Sequence, residues 1–300
     1  MNNLFLLREE LRENGDRLAY QFLDGLNWKQ YTYLDIINSI DYLTYFIINN
    51  NIFNNKVYNT GSSSLENTLL TYVFLSVGSS INISSYDADS FGSKIKENNI
   101  IIIDKIEDSM NFKNSEDKIY ITLNETVNEG VLPKVYNPKL MYKFGLLGKN
   151  KIDENKWLQI LNKDFSSNLT FDRKEESNLK IIESLENLII DISDREFSNI
   201  FYQKKDLFSL KICALMLVHK KKFTNFYNWK DLCTNLKETL PTNLFMDSNN
   251  LYRLIEDENF AEKPIQELLG KNIKRIISTD VIDKNLIQKV SSLGLELINL

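Results

Sequence analysis

The sequence predicts an α/β fold made of two lobes with mostly parallel or mixed sheets. Short apolar runs typical of buried strands alternate with segments whose apolar residues recur every three or four positions, as in amphipathic helices. The run at 99–104, NIIIID, is apolar enough to be buried on both faces, as central parallel strands are. The alternation breaks down after residue 123 and resumes after 185. We therefore expect an N-terminal lobe over 1–123, an irregular crossing segment over 124–185 and a second lobe over 186–300.

Within the first lobe, the first helix should begin at Thr32, a plausible N-cap with Asp35 three positions later. A second helix should be opened by Ser64 and closed by Gly78. The strands predicted around these helices cover 17–22, 56–60, 80–84, 99–104 and 118–123.

The second lobe repeats the alternation, and Asp283 marks the start of its last helix. The predicted strands cover 187–192, 222–226, 242–246, 273–279 and 295–300, and the predicted helices cover 208–218, 228–240, 248–257 and 283–294. Strands that alternate with helices favour parallel sheets.

Charge and hydropathy exclude several classes of protein. The formal net charge is −5, and lysines alternate with acidic residues, which argues against a nucleic-acid-binding protein. No apolar run reaches the roughly 18 residues that a membrane span needs. Polar residues directly after Met1 argue against a secretory signal. A cytoplasmic location is the simplest expectation.

The small numbers of glycine, histidine and cysteine residues limit the kinds of catalytic and metal sites that the chain can form. The chain has 10 glycines, so few places allow the backbone to close around a phosphate. Its single histidine, His219, lies among lysines and is interpreted as part of a solvated turn, which removes most triad and poly-histidine metal sites. Cys213 and Cys233 are more typical of core thiols in a reduced compartment than of a metal pair.

Two stretches carry a resemblance to a known family. In the first, RLAYQFLDGLNWKQYTYLDII, a strand leads to Trp28, then to the pair Thr32 and Tyr33, and then to a long helix. In the second, LKETLPTNLFMDSNNLYRLIED, a helix is followed by Pro241 and Thr242, a strand and another helix. The order of elements resembles the N-terminal region of the adenylate-forming (AMP-binding) superfamily, of the long-chain fatty acid–CoA ligase type. These five residues are assigned structural positions: aromatic packing for Trp28 and Tyr33, and a helix-to-strand connector for Pro241 and Thr242.

The resemblance implies an ATP site, yet the residues that would form it are missing. After the strand at 187–190 the family has a Ser/Thr/Gly-rich loop with a lysine, whereas this chain has no glycine from Asp191 to Asp206. The carboxylates of Asp191 and Asp194 would repel a triphosphate. Lys204 and Lys205 are the weak remaining candidates for phosphate contacts.

Two further parts of the family's site are also missing. Ser278, Thr279 and Asp280 replace a flexible glycine pair. The family's Tyr-Gly-x-Thr-Glu segment, which supplies adenine stacking and a magnesium ligand, would begin after Leu300. We therefore assign no catalytic residue, no metal ligand and no bound cofactor from the sequence, and we expect the chain to be truncated.

Three functional hypotheses remain. The first is a degenerate acyl-CoA ligase-like protein, inactive alone, that acts as a binding or partner protein or is a gene remnant. The second is one half of a split long-chain fatty acid–CoA ligase, and it is the only one of the three hypotheses that requires ATP, magnesium and CoA. An adjacent reading frame that begins like the missing Tyr-Gly-x-Thr-Glu segment would favour it. The third sets the resemblance aside and reads the chain as an unrelated α/β protein that binds a small molecule. For the first hypothesis we expect a fatty acyl ligand, or a protein partner or self-association at an apolar C-terminal edge.

Overall fold

The computed structural model describes most of the alternating elements. It describes residues 12, 15–62, 64–84, 95–105, 117–124, 134–148, 168–171, 174–177, 200–201, 223–226, 229–239, 243–256, 272–278 and 282–299. The described helices are α1 (Tyr33–Asn49), α2 (Leu65–Ser76), α3 (Pro138–Gly148), α4 (Trp229–Thr239), α5 (Ser248–Glu256) and α6 (Lys284–Ser292). The strands are β1 (Leu18–Asp24), β2 (Asn27–Thr32), β3 (Lys56–Asn59), β4 (Ser80–Ile83), β5 (Ile100–Ile103), β6 (Ile119–Thr122), β7 (Val135–Tyr136), β8 (Asn168–Phe171), β9 (Lys174–Ser177), β10 (Ile200–Phe201), β11 (Phe223–Phe226), β12 (Asn243–Phe245), β13 (Arg275–Ser278) and β14 (Glu296–Asn299). The predicted α/β class is confirmed.

The strands form two seven-stranded sheets, each mostly parallel, as the alternation predicts. The N-terminal sheet has the order β7-β6-β5-β3-β4-β8-β9, in which only the β8–β9 pair is antiparallel. The C-terminal sheet has the order β14-β13-β12-β10-β11-β1-β2, in which only the β1–β2 pair is antiparallel. Parallel neighbours joined through helices are the βαβ arrangement expected of this fold class.

The chain divides into two compact units, one around each sheet. One unit comprises Met1–Gly15, Leu34–Glu186 and Lys204–Val218, and the other comprises Asp16–Tyr33, Asn187–Gln203 and His219–Leu300. The hairpin β1–β2 thus belongs with the later strands, because β1 pairs in parallel with β11. The limits 1–123, 124–185 and 186–300 stay a prediction, but a division by sequence position alone does not separate the two sheets.

The N-terminal sheet contains a fully buried strand at the position that the sequence predicts. All four residues of β5 are completely buried, and β5 lies inside the sheet between β6 and β3. The predicted N-cap of α2 is confirmed: the Ser64 side chain accepts a hydrogen bond from the Asn67 N–H, and Gly78 follows the helix with a φ of 86°.

Residues 124–185 contain more regular structure than predicted. Helix α3 and strands β7, β8 and β9 fall there. Helix α3 begins with Pro138, which is tolerated at the first helical position, and its Gly145 packs against α1. A Cβ at 145 would overlap the backbone carbonyl of Tyr42, so glycine serves close helix packing here rather than chain breaking.

The core of the C-terminal unit lies between its sheet and helices α4, α5 and α6. Leu244, Leu232, Leu254 and Leu286 are among its fully buried members. Helix α6 begins where predicted, because the Asp283 carboxylate accepts a hydrogen bond from the Leu286 N–H at 2.8 Å. Among the described residues, no helix is both long and apolar enough to cross a bilayer.

Candidate functional site

The carboxyl edge of the C-terminal sheet is the candidate site. Strands β1, β10, β11, β12, β13 and β14 run in parallel, so their carboxyl ends meet at one edge. In open α/β sheets, ligands bind in crevices outside the carboxyl ends of the strands. We define the site by the described residues there: Trp28, Phe226, Met246, Asp247 and Ser278.

An aromatic pair lies at one end of this edge. Trp28 is on β2 opposite Leu23, next to the carboxyl end of β1. Its ring meets the ring of Phe226, the last residue of β11, edge-on, with centroids 6.0 Å apart. Trp28 also packs against the buried core of this unit.

The ends of β12 and β13 contribute one carboxylate and one hydroxyl. Asp247 accepts hydrogen bonds from the Asn250 N–H at 2.7 Å and from its side-chain Nδ2 at 2.8 Å, which caps α5. Ser278 ends β13 and is completely buried, while the neighbouring Ile277 carbonyl accepts a hydrogen bond from the Met246 N–H at 3.0 Å. The first residue of the predicted glycine-pair position is thus a packed strand residue.

The five residues that define the candidate site offer no positive charge to a triphosphate. Phe226 ends β11, Ser278 ends β13, and Met246 and Asp247 follow the last residue of β12; none of these four residues carries a positive charge. Beside the end of β1, the Lys29 Nζ lies 4.0 Å from the Asp24 carboxylate. The nearest cationic residue on β13, Arg275, begins the strand and pairs with Glu296 at 2.6 Å, at the opposite edge of the sheet. Phosphoryl chemistry requires donors and cations around the developing charge.

The carboxyl edge of the N-terminal sheet holds a buried polar cluster. Asn59, at the end of β3, donates from Nδ2 to Asn67 Oδ1 at 2.6 Å and accepts at Oδ1 from the Gly61 N–H at 3.0 Å. Asn67 donates in turn to the carbonyls of Gly61 at 3.0 Å and Ser62 at 2.9 Å. The Ser62 N–H donates to Asp104 Oδ1 at 2.6 Å.

The polar cluster stabilises the fold at this edge of the sheet and does not present its polar groups to a ligand. The Asn59–Gly61 bond lies within the turn after β3, and the other contacts join this region to the first turn of α2 or to Asp104 after β5, so the polar groups satisfy one another. A Cβ at Gly61 would overlap the side chain of Leu123, which shows how little space remains. Buried polar groups need such partners to offset their desolvation.

Thr32 and Tyr33 are the other two resemblance positions that the structure describes. Thr32 ends β2 opposite Leu18, directly before α1. Tyr33 is completely buried, and its N–H donates to the Arg17 carbonyl at 3.0 Å. Burial raises the pKa of Tyr33, and the charge of Arg17 lowers it by less.

Several predicted positions lie outside the described residues. These are Lys204 and Lys205, Asp191 and Asp194, Pro241 and Thr242, Thr279 and Asp280, His219 and Cys213. Cys233 lies in α4. Among the residues that the structure describes, no group of three or more His, Cys, Asp or Glu side chains could hold a metal ion.

Sequence reasoning missed the polar cluster and the strand β2. The run NTGSSS after β3 was a usable signal, because Asn, Gly and Ser directly before a helix are typical of caps and turns. The pair Asp24 and Gly25 between two short strands was a hairpin signal, and Gly25 has a φ of 62°.

Comparison with solved structures identifies the fold. The luciferase-like enzyme from the nonluminescent Zophobas morio mealworm superposes with a TM-score of 0.74 at 10% identity, over 99% of this chain and 71% of that one. The N-terminal domain of FACL13 from Mycobacterium tuberculosis gives 0.70 at 10% identity, over 100% and 75%. O-succinylbenzoate coenzyme A synthetase from Bacillus subtilis, solved with AMP, gives 0.64 at 8% identity, over 99% and 72%.

Sequence comparison alone gives no match. No family model and no curated protein matches the chain. The structural likeness nevertheless extends over nearly the whole chain, at identities that speak for fold and not for activity. The chain therefore has the fold of the N-terminal region of acyl-CoA ligases and related adenylate-forming enzymes.

Proposed function

We propose that this chain is an acyl-CoA ligase-like protein that does not form acyl adenylates by itself and acts as a binding protein for an acyl ligand. The observation that carries the proposal is the contrast between a retained fold and replaced glycines. The fold is kept at about 10% identity over 99% of the chain, whereas Ser278 stands completely buried where the resemblance implies a flexible glycine.

The charge at the carboxyl edge of the C-terminal sheet supports the same proposal. Of the five side chains that define the candidate site, only that of Asp247 is charged, and its carboxylate already caps α5. Removing one donor from an oxyanion-type site typically costs about 10²–10³ in rate, so a site without several donors would not hold the reacting phosphate. Binding of an acyl chain needs none of this chemistry, because it depends on apolar burial.

Calorimetry and pyrophosphate exchange test the proposal. The chain should bind Mg-ATP weakly or not at all, should show no exchange with palmitate, and should bind a fluorescent fatty acid that palmitate displaces. Micromolar ATP affinity or measurable exchange by the isolated chain would overturn the inactive assignment. If the chain binds neither ATP nor the fatty acid, the proposed acyl ligand would be wrong, whereas the proposed lack of adenylating activity would stand. The cytoplasmic location expected from the sequence stays part of this proposal.

A second candidate is one part of a two-chain ligase that uses ATP, magnesium and CoA. This chain spans 71% of the mealworm protein and 72% of the synthetase, and this candidate assigns the part without a counterpart to a second chain. Both candidates account for the observed fold. A small-molecule-binding protein unrelated to acyl-CoA ligases would have the same fold without a functional reason for it.

Reconstitution distinguishes the two candidates. The product of the adjacent reading frame would be co-purified with this chain, and AMP release from ATP and palmitate would be measured for the mixture and for each chain alone. Activity in the mixture only would establish the two-chain ligase. A mixture that remains inactive, with fatty acid binding retained by this chain, would favour the binding protein.

A further inference from the structure

Helix α3 exposes three large apolar side chains within four consecutive positions. Leu147 is 63% exposed, Leu146 is 51% exposed and Phe144 is 43% exposed. These are three of the six large apolar residues exposed in the described part of the chain; the other three, Leu26, Leu34 and Ile287, lie on three different elements. Single exposed apolar residues are ordinary, whereas a cluster marks a contact surface.

The inward face of α3 explains why the large residues point outward. That face consists of Pro138, Met141, Gly145 and Gly148, all buried. A Cβ at 145 would overlap the Tyr42 carbonyl, so α3 lies directly against the backbone of α1 and leaves no inward space for bulky side chains. Gly145, inside this eleven-residue helix, weakens it by about 1 kcal/mol relative to alanine, a cost that close packing must offset.

The same outward face is basic. Lys139 and Lys143 are exposed on α3, and the helix PKLMYKFGLLG contains no acidic residue although the chain as a whole has a net charge of −5. Helix α6 has the usual arrangement instead: Leu286 and Val290 are buried, and its exposed residues are polar except Ile287.

We infer that α3 binds the surface of an anionic lipid bilayer. Phe144, Leu146 and Leu147 insert at the boundary between headgroups and acyl chains, and Lys139 and Lys143 contact the lipid phosphates. Helices that lie in this boundary combine large apolar residues with Lys or Arg. The centre of a protein–protein interface is instead depleted in lysine, so lysines interleaved with leucines favour lipid as the occupant. This inference is independent of whether the chain binds ATP or a fatty acid.

Vesicle flotation with the complete chain tests the inference. The chain should float with vesicles of phosphatidylcholine mixed with phosphatidylglycerol and only weakly with phosphatidylcholine alone. Added salt should weaken binding, because the lysine contribution is screened. The double variant Phe144→Ser/Leu147→Ser should lower the partition constant by about ten-fold or more. Lys143→Gln should lower it by about five-fold on anionic vesicles and leave binding to neutral vesicles unchanged.

Leu26→Ser and Ile287→Ser are the matched controls. Leu26 is 96% exposed at the tip of the β1–β2 hairpin, and Ile287 is 43% exposed on α6. Each substitution therefore removes an exposed apolar side chain that does not belong to α3. Both should float like the unaltered chain, and circular dichroism should show that every variant is folded. Equal flotation of the α3 double variant would overturn the inference. Absence of vesicle binding, together with self-association that the double variant abolishes, would overturn it in favour of a second copy of the chain.

Discussion

The two sheets use the same topological position in opposite ways. At the carboxyl edge of the N-terminal sheet, Asn59, Asn67 and Asp104 bond to the surrounding turn and close the edge with a polar cluster. At the carboxyl edge of the C-terminal sheet, the rings of Trp28 and Phe226 pack edge-on, and the Asp247 carboxylate serves a helix cap. A strand edge alone therefore does not define a site; it matters whether the polar groups there are already satisfied by the fold.

Breaking the polar cluster should give the largest effect. Asn67→Leu removes the donor to two carbonyls and the acceptor for Asn59 in a buried setting, so we expect a loss of about 3 kcal/mol in the free energy of unfolding. Urea denaturation measures it. Asn235→Ala is the control, since Asn235 is partly buried and donates to the Asp231 carbonyl within one helix. Equal midpoints for the two variants would contradict the closed-edge description.

Removing the aromatic pair should give the next largest effect. Trp28→Ala deletes a half-buried ring that packs on Phe226 and on the core of its unit, so we expect a loss of about 2–3 kcal/mol. Trp28→Phe should recover part of that loss. If the binding proposal is right, fatty acid affinity should fall in Trp28→Ala under conditions where the variant stays folded; unchanged affinity would separate this ring from the ligand.

The cap on α5 should contribute less. Asp247→Ala removes two hydrogen bonds at the helix start and should cost about 1 kcal/mol, as should Asp283→Ala at the start of α6. The comparison is informative because only Asp247 lies at the candidate site. A clear change in ligand binding for Asp247→Ala, with none for Asp283→Ala, would give this carboxylate a role beyond capping.

Restoring one glycine should have the smallest effect. Ser278→Gly should lower stability by about 0.5–1 kcal/mol, because glycine weakens a strand, and should leave Mg-ATP binding undetectable in calorimetry. A single glycine adds no cation and no hydrogen-bond donor to the site. An ATP affinity in the micromolar range for this variant would show instead that only the Ser278 side chain blocks the nucleotide.

Local sequence patterns anticipated the fold where local chemistry determines it. Ser64 and Asp283 were predictable caps because an oxygen-bearing side chain directly before an apolar repeat satisfies the first helical N–H groups. Helix α3 was missed because Gly145 and Gly148 are indistinguishable from helix breakers until the neighbouring helix is known.

The candidate site was less predictable for a similar reason. The position of Trp28 beside Phe226 depends on parallel pairing between residues that are far apart in sequence. Periodicity indicates that each strand exists, but it does not indicate which strand lies next to which. The expected replacement of a glycine pair by Ser278, Thr279 and Asp280 concerns residue type alone, so it needs no knowledge of strand order.

The pairing of β1 with β11 has a consequence for how the chain is made. Gln21 bonds to Thr224 across 203 positions, so the first hairpin leaves the ribosome long before its partner strand exists. At about 5–20 residues per second, it waits roughly 10–40 s with one edge unpaired. The N-terminal sheet can therefore form during synthesis before this hairpin pairs with β11. An unpaired strand edge can pair with the wrong strand or be bound by a chaperone during that time.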